Sequence, residues 1–139
     1  MINIVIVSHG DLGQALIRAA EMICGPAERV FAVSLLPGEA PEGFGDKLAE
    51  ALRPIEGEET LVLVDFFGGT PYNVSAHELQ RPNVECVTGA NLPMLLELIT
   101  ARDVAPCGPE ELSLSELAAS IAQAGQDSIR NLGPMLRHG

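Results

Sequence analysis

The sequence predicts an α/β fold: one domain on a doubly wound, mainly parallel sheet with helices on both faces. Three observations carry that prediction. Short, largely apolar runs rich in β-branched residues, at 2–7 and 60–64, read as strands buried on both faces. Helical stripes lie between such runs, so strand and helix alternate four times, the pattern of a parallel sheet wound by right-handed crossovers. A chain of 139 residues, 47% hydrophobic and 19% charged, is long enough for one core. A domain of that size buries roughly 68–70% of its unfolded surface.

The elements follow in order. The first apolar run stops abruptly at Ser8-His9-Gly10, which forms the turn at the carboxyl end of the first strand. In open α/β sheets that edge is where ligands bind, and helix N-termini there favour anions. Asp11 is placed to cap the first helix, whose stripe is Leu12, Ala15, Leu16, Ala19, Ala20 and Ile23 and whose end is Gly25-Pro26. Residues 30–34 form a second strand, Leu35-Leu36-Pro37-Gly38 a turn, and the Gly-, Pro- and Glu-rich segment up to Gly45 reads as irregular. A helix is expected over 46–52, with Leu48, Ala51 and Leu52 inward. The third strand, 60–64, stops at Asp65. Thr70 is a natural N-cap with Pro71 as first helical residue, so a third helix runs over 71–79. Residues 84–88 form the fourth strand, and Asn91 caps a fourth helix to about 101. A loop with two prolines spans 103–112. Ser113 and Glu116 then fit a capping box for a last helix, with Leu117, Ala118, Ile121 and Ala122 inward and Gly125 as its end.

Composition narrows the function classes. With 19 acidic against 8 basic residues, and Lys47 as the one lysine, nucleic acid is not expected as a partner. Cys24, Cys86 and Cys107 are odd in number and form no C-x-x-C pair, which argues against a disulfide framework and a zinc site. They read as inert thiols, and no metal or other cofactor is expected. No apolar run approaches the ~18 residues of a membrane span, and no basic n-region precedes the first run. The expected location is the cytoplasm.

The chemistry centres on two strand ends. Parallel topology brings His9, after the first strand, and Asp65, after the third, to one edge. A carboxylate accepting the Nδ1 proton of an imidazole fixes the tautomer and leaves Nε2 as a nucleophile. The Gly68-Gly69-Thr70 turn offers backbone N–H groups, a hydroxyl and a helix N-terminus to phosphoryl oxygens. A Walker lysine, an acidic cluster for Mg²⁺ and a G-x-G-x-x-G turn are all lacking. The chemistry these residues suit is phosphoryl transfer without nucleotide or metal. His9 as a plain carbonyl partner and Asp65 as a turn-shaping residue stand beside that reading. His77 and His138 read as surface and tail histidines.

Several motifs now line up. Ile-Val-Ile-Val-Ser-His-Gly, Ala-Glu-Met-Ile-Cys-Gly, Val-Asp-Phe-Phe-Gly-Gly-Thr-Pro-Tyr-Asn and Thr-Gly-Ala-Asn-Leu-Pro-Met-Leu-Leu-Glu occur in this order. Together they resemble the mannose-type IIA domain of the bacterial phosphoenolpyruvate-dependent sugar phosphotransferase system. The resemblance runs in register over 1–103 and more loosely to 132, giving a IIA domain at 1–132 and a tail at 133–139. It implies a phosphohistidine carrier, a phosphotransferase component in which His9 accepts the phosphoryl group on Nε2 from the phosphocarrier HPr and passes it to a IIB component. Asp65 takes the orienting role. Gly10, Gly68, Gly69 and Thr70 lie about the phosphoryl group, with Thr70 supplying the hydroxyl. Met22, Ile23, Leu35 and Pro37 match apolar pocket and docking positions. The implied sheet order is 2-1-3-4. The implied assembly is a homodimer, in which 127–132 adds as an antiparallel strand to the neighbour's sheet. A stand-alone IIA, or a piece of a split system, is expected; it is not membrane-inserted, though association with a membrane permease complex fits.

Two rivals share the fold class. A receiver domain would want an acidic pair after the first strand and a late lysine, and this chain has Ser8-His9 and no lysine beyond Lys47. A histidine phosphatase would want Arg where Ser8 stands. A third alternative keeps the fold and site: a regulatory module whose His9 phosphorylation state controls binding to a signalling protein, without sugar transport.

Overall fold

The computed structural model describes residues 1–103 and 112–137. Four strands, β1 (Asn3–His9), β2 (Val30–Leu35), β3 (Thr60–Val64) and β4 (Val84–Thr88), form one all-parallel sheet in the order β2-β1-β3-β4. β1 is therefore central, with Ile4 opposite Val30 on one side and Leu61 on the other. The order and the parallel sense are those the sequence predicts. Among the described residues six α-helices accompany them: α1 (Leu12–Cys24), α2 (Pro41–Leu52), α3 (Gly69–His77), α4 (Leu92–Asp103), α5 (Leu114–Asp127) and α6 (Leu132–Arg137).

The continuous apolar character of β1 and β3 has a direct cause. Ile4, Ile6, Leu61 and Leu63 point to one face, where they meet Ile17 and Ala20 of α1, Leu95 and Leu98 of α4, and Leu117 and Ile121 of α5. Val5, Val7, Val62 and Val64 point to the other, against Phe44, Leu48 and Leu52 of α2 and Tyr72 and Val74 of α3. With helices on both faces, the middles of the two central strands leave no position for a polar side chain to meet water.

Some boundaries differ from the sequence expectation. α2 begins at Pro41, not near Asp46, so the part of the irregular-looking segment from Pro41 on is helical. Phe44, Leu48 and Leu52 share one face at a spacing of four, and Phe44 is wholly buried. Burying such a side chain contributes about 1.5–3 kcal/mol, enough to offset the ~1 kcal/mol each that Gly43 and Gly45 cost a helix. α3 starts at Gly69 with Gly68 in the capping position, so Thr70 lies inside the first turn and is not the cap. α3 ends at His77, and Glu78–Gln80 continues as a 3₁₀ turn.

Asn91 caps α4 as expected, its Oδ1 accepting the Met94 amide at 3.0 Å. The Ser113–Glu116 capping box is present in both halves. α5 runs through Gly125 to Asp127 because that glycine is buried against Met94, where a methyl group would have no room. Residues 104–111, the heart of the expected 103–112 loop and its Pro-Cys-Gly-Pro segment, lie outside the described residues, as does His138. The expected C-terminal strand at 127–132 is absent from this chain: Asp127 ends α5, 128–131 lack regular structure, and Leu132 opens α6. A strand of that kind needs a neighbour's edge for its ladder, and one chain alone leaves it unpaired. The 133–139 tail is likewise helical as far as Arg137.

Candidate active site

His9 ends β1, and Asp65 follows β3 directly. The Asp65 amide extends the ladder by one bond, donating to the Val7 carbonyl at 3.2 Å, so both side chains emerge at the carboxyl edge of the sheet. There the Asp65 carboxylate is fully engaged. Its Oδ2 accepts the His9 backbone amide at 2.9 Å and stands 2.7 Å from His9 Nδ1. Its Oδ1 accepts the Phe66 amide at 3.0 Å. Asp65 is only 8% exposed in its side chain whereas His9 is 47% exposed. An acceptor held this way assigns the imidazole proton to Nδ1 and leaves the Nε2 lone pair free toward solvent.

The Nε2 side of the ring faces the start of α3. A Cβ built on Gly69 would lie 3.4 Å from His9 Cε1 and 3.5 Å from Nε2, so the Gly69 backbone runs against that edge of the imidazole. Gly69 has φ +79°, a conformation that glycine adopts without strain. The first amides of a helix have no partner within it, and Pro71 has no N–H, so the amides of Gly69 and Thr70 head this helix. With the half-buried Thr70 hydroxyl they are the donors of the first turn of α3, whose first residue approaches Nε2, backed by a helix dipole of roughly +0.5 charge. Such a set suits the oxygens of a phosphoryl group. The scaffold beneath is tight: the wholly buried Ser8 accepts the Gly13 amide at 3.0 Å and ties α1 to the end of β1.

Comparison with known proteins shows the family. The profile of the EIIA-man family, described as the PTS system fructose IIA component, matches residues 3–112. The chain belongs to the EIIA-man family. The PTS system fructose-specific EIIA component of Bacillus subtilis (strain 168) is 36% identical over 132 residues, spanning 94% of this chain and 86% of its own length. The PTS system mannose-specific EIIAB component of Escherichia coli (strain K12) is 33% identical over 94% of this chain, and the match spans 39% of that longer protein. Among solved structures, the mannose/sorbose-specific IIA subunit from Enterococcus faecalis superposes with a TM-score of 0.80 at 32% identity, covering 93% of this chain and 92% of that one. The phosphotransferase system component EIIA from Streptococcus agalactiae gives 0.81 at 28% identity, over 96% and 99%. The resemblance drawn from the motifs thus holds, and the general kind of protein follows: a phosphotransferase component of a sugar phosphotransferase system.

The remaining sequence-selected residues of this EIIA domain divide into near and far. Leu35 pairs with His9 across β2, and its carbonyl accepts the Gly10 amide at 2.8 Å. That bond commits the Gly10 donor to the turn, so within this chain Gly10 shapes the site and does not offer its N–H to a phosphoryl group. The exposed Pro37 follows Leu35 on the same edge. The loop carrying Pro37 is tied by the one lysine: Lys47 Nζ donates to the Ser34 carbonyl at 2.7 Å and pairs with Glu39 at 3.1 Å. Glu39 also accepts the Leu36 amide, and these bonds hold its carboxyl below the usual carboxylate range. Met22 and Ile23 lie elsewhere. α1 runs back from the site to the amino edge, where β2 begins, and leaves both side chains exposed there, away from His9 of the same chain.

Other residues at the site were not singled out from the sequence as site residues. Leu12, Leu36, Phe66 and Phe67 are exposed large apolar side chains at the carboxyl edge around His9. Phe66 and Phe67 precede the Gly-Gly turn, and two adjacent aromatics directly after the strand-ending Asp65 were the available signal. Behind the turn, Val64, Phe67, Tyr72, Ser75, Leu79 and Cys86 line a cleft of about 190 Å³. Burial pushes the Cys86 thiol up to about 12, which agrees with an inert side chain. Among the described residues no group of three His, Cys, Asp or Glu side chains is arranged to hold a metal ion, and no helix is long and apolar enough to cross a membrane.

Proposed function

We propose that this EIIA domain is a cytoplasmic phosphohistidine carrier. In that role His9 Nε2 accepts a phosphoryl group from phospho-HPr and passes it to a IIB component for sugar uptake. The observation that carries the reading is the 2.7 Å contact of Nδ1 with Asp65, which turns an unprotonated Nε2 toward the Gly69 backbone. In the first transfer the Nε2 lone pair attacks phosphorus. The phosphorus–nitrogen bond to the donor histidine breaks, and its electron pair returns to the donor ring. In the second, the acceptor on IIB attacks phosphorus and His9 recovers its lone pair. The transition state is loose, so positioning and hydrogen-bond donors matter more than covalent assistance. Asp65 stabilises the positive charge that the His9 ring gains, while the Gly69 and Thr70 amides and the Thr70 hydroxyl take the equatorial oxygens.

The exposed rim of Leu12, Leu36, Phe66 and Phe67 supports docking by partner proteins that present their own phosphoryl-bearing residue. The proposal includes a homodimer. Ile129, Leu132, Met135 and Leu136 are all more than half exposed, and α6 has no buried residue in its own chain. A monomeric mass by light scattering at micromolar concentration contradicts that part alone. The carrier role is tested by incubation with phosphoenolpyruvate, enzyme I and HPr, followed by intact mass. One acid-labile phosphoryl group, lost in His9→Ala, is the expected result. A folded protein that takes up none overturns the proposal.

A further inference from the structure

Phe66 touches the site in two ways at once. Its amide donates to Asp65 Oδ1 at 3.0 Å, on the oxygen that His9 does not use. Its ring lies 5.4 Å from the His9 ring, centroid to centroid, at an interplanar angle of 34°. A methyl group at Gly69 would meet Phe66 Cζ and His9 Cε1 at the same 3.4 Å, and one at Gly68 would meet Phe66 Cε2 at 3.5 Å. Three groups therefore converge: the Cε1–Nε2 edge of His9, the Phe66 ring tip and the glycine turn that carries the amides of α3. The same residue closes a circuit from carboxylate to imidazole to aromatic ring.

The imidazole otherwise has one strong tether, the Nδ1 contact with Asp65. The Cβ–Cγ bond and a single hydrogen bond leave the ring free to tilt about χ2, which breaks the Nδ1 contact, frees the tautomer and swings Nε2 away from the Gly69 turn. An aromatic neighbour on one side removes that freedom and also covers one approach to Nε2. Half of the Phe66 surface nevertheless stays open to solvent, so the fold does not need this ring for its core.

We propose that Phe66 is a positioning residue. Its ring holds the His9 imidazole against the α3 amides and shields one side of phosphorylated Nε2 from water. The shielding rests on the carrier reading, whereas the positioning does not. In the loss it limits, water oxygen attacks phosphorus, the phosphorus–Nε2 bond breaks with its electrons returning to the ring, and inorganic phosphate leaves.

The test uses Phe66→Ala and Phe66→Tyr in the full chain, with two readouts. The first is the ¹⁵N spectrum of the unphosphorylated His9 ring. The parent and Phe66→Tyr are expected to show one Nδ1-protonated form, and Phe66→Ala signals averaged between tautomers. The second is the lifetime of phosphohistidine made with potassium phosphoramidate, whose phosphorus–nitrogen bond breaks as His9 attacks and whose nitrogen leaves as ammonia. Hydrolysis in Phe66→Ala is expected to be roughly 2–10-fold faster, the range an aromatic pair contributes, with Phe66→Tyr restoring the parent lifetime. An Ala variant with the parent's spectrum and lifetime overturns the proposal. If the parent itself takes no phosphoryl group, the carrier reading and the shielding fail together, and the ¹⁵N spectra decide the positioning role on their own.

Discussion

Replacing Asp65 by asparagine changes almost no volume and removes one acceptor. The aspartate accepts three N–H groups, two on Oδ2 from His9 and one on Oδ1 from Phe66. Asparagine has one carbonyl oxygen and one NH₂, so neither orientation satisfies all three. With the NH₂ toward His9, Nδ1 must become the acceptor, the ring proton moves to Nε2, and the nucleophile is lost. With the NH₂ toward Phe66, that amide is opposed by a donor, and a neutral group faces the imidazolium charge that builds during transfer. A hydrogen bond to a charged partner contributes about 1.5–3 kcal/mol, equivalent to roughly 10–150-fold in rate. Adding the wrong tautomer brings the expected loss to about 10²–10⁴-fold, the range of an acid–base partner. Rapid-quench measurement of acid-labile phosphoryl uptake from phospho-HPr reads this directly, with circular dichroism confirming the fold. A rate within about threefold of the parent would refute the orienting role.

Further outcomes are expected. Gly69→Ala forces a side chain into a positive φ, costing about 1–2 kcal/mol, and sets a methyl group beside His9 Nε2; phosphoryl uptake should fall roughly 10–100-fold, and an unchanged rate counts against the cradle. Gly125→Ala would put its Cβ 2.5 Å from Met94 Cγ, inside a side chain that is 2% exposed. Overpacking costs about 1–3 kcal/mol against the ~1 kcal/mol gained by alanine in a helix, so thermal unfolding should show a net loss of up to about 2 kcal/mol; a raised Tm contradicts the packing argument. Glu116 titrates below its ordinary value of 4.5 because the Ser113 amide and hydroxyl bond it. A depressed folded pKa stabilises above the unfolded value and is lost as pH falls through the folded one. The Tm advantage of the parent over Glu116→Gln should therefore be complete near neutrality and shrink below about pH 4.5; a pH-independent difference argues against the capping box.

Much of this could be read from the chain because its physics is local or periodic. The middles of β1 and β3, Ile4–Val7 and Leu61–Val64, carry no polar residue, as a sheet covered on both faces requires, and Thr60–Val64 and Val84–Thr88 fall where the pattern puts them. Ser113 and Glu116 carry their cap within four residues. His9 and Asp65 follow from topology, since parallel neighbours must end on one edge. What stayed hidden depends on contacts distant in sequence. Gly43 and Gly45 speak against a helix until Phe44 is seen buried against the sheet. Thr70 before Pro71 looks like a cap, but the close approach of Gly69 to His9 starts α3 earlier. Phe66 is merely an aromatic residue in the sequence; its ring placement over His9 is a tertiary fact.

In the proposed mechanism Asp65 occupies Nδ1 so that Nε2 does the chemistry. The most direct measurement is the ¹⁵N-edited NMR spectrum of the phosphorylated protein, in which coupling to phosphorus reports the nitrogen that carries the phosphoryl group. The expected result is phosphorus on Nε2 of His9, with the Nδ1 proton retained in its bond to Asp65. Phosphorus on Nδ1, or an acyl phosphate on Asp65 with His9 unmodified, would contradict it.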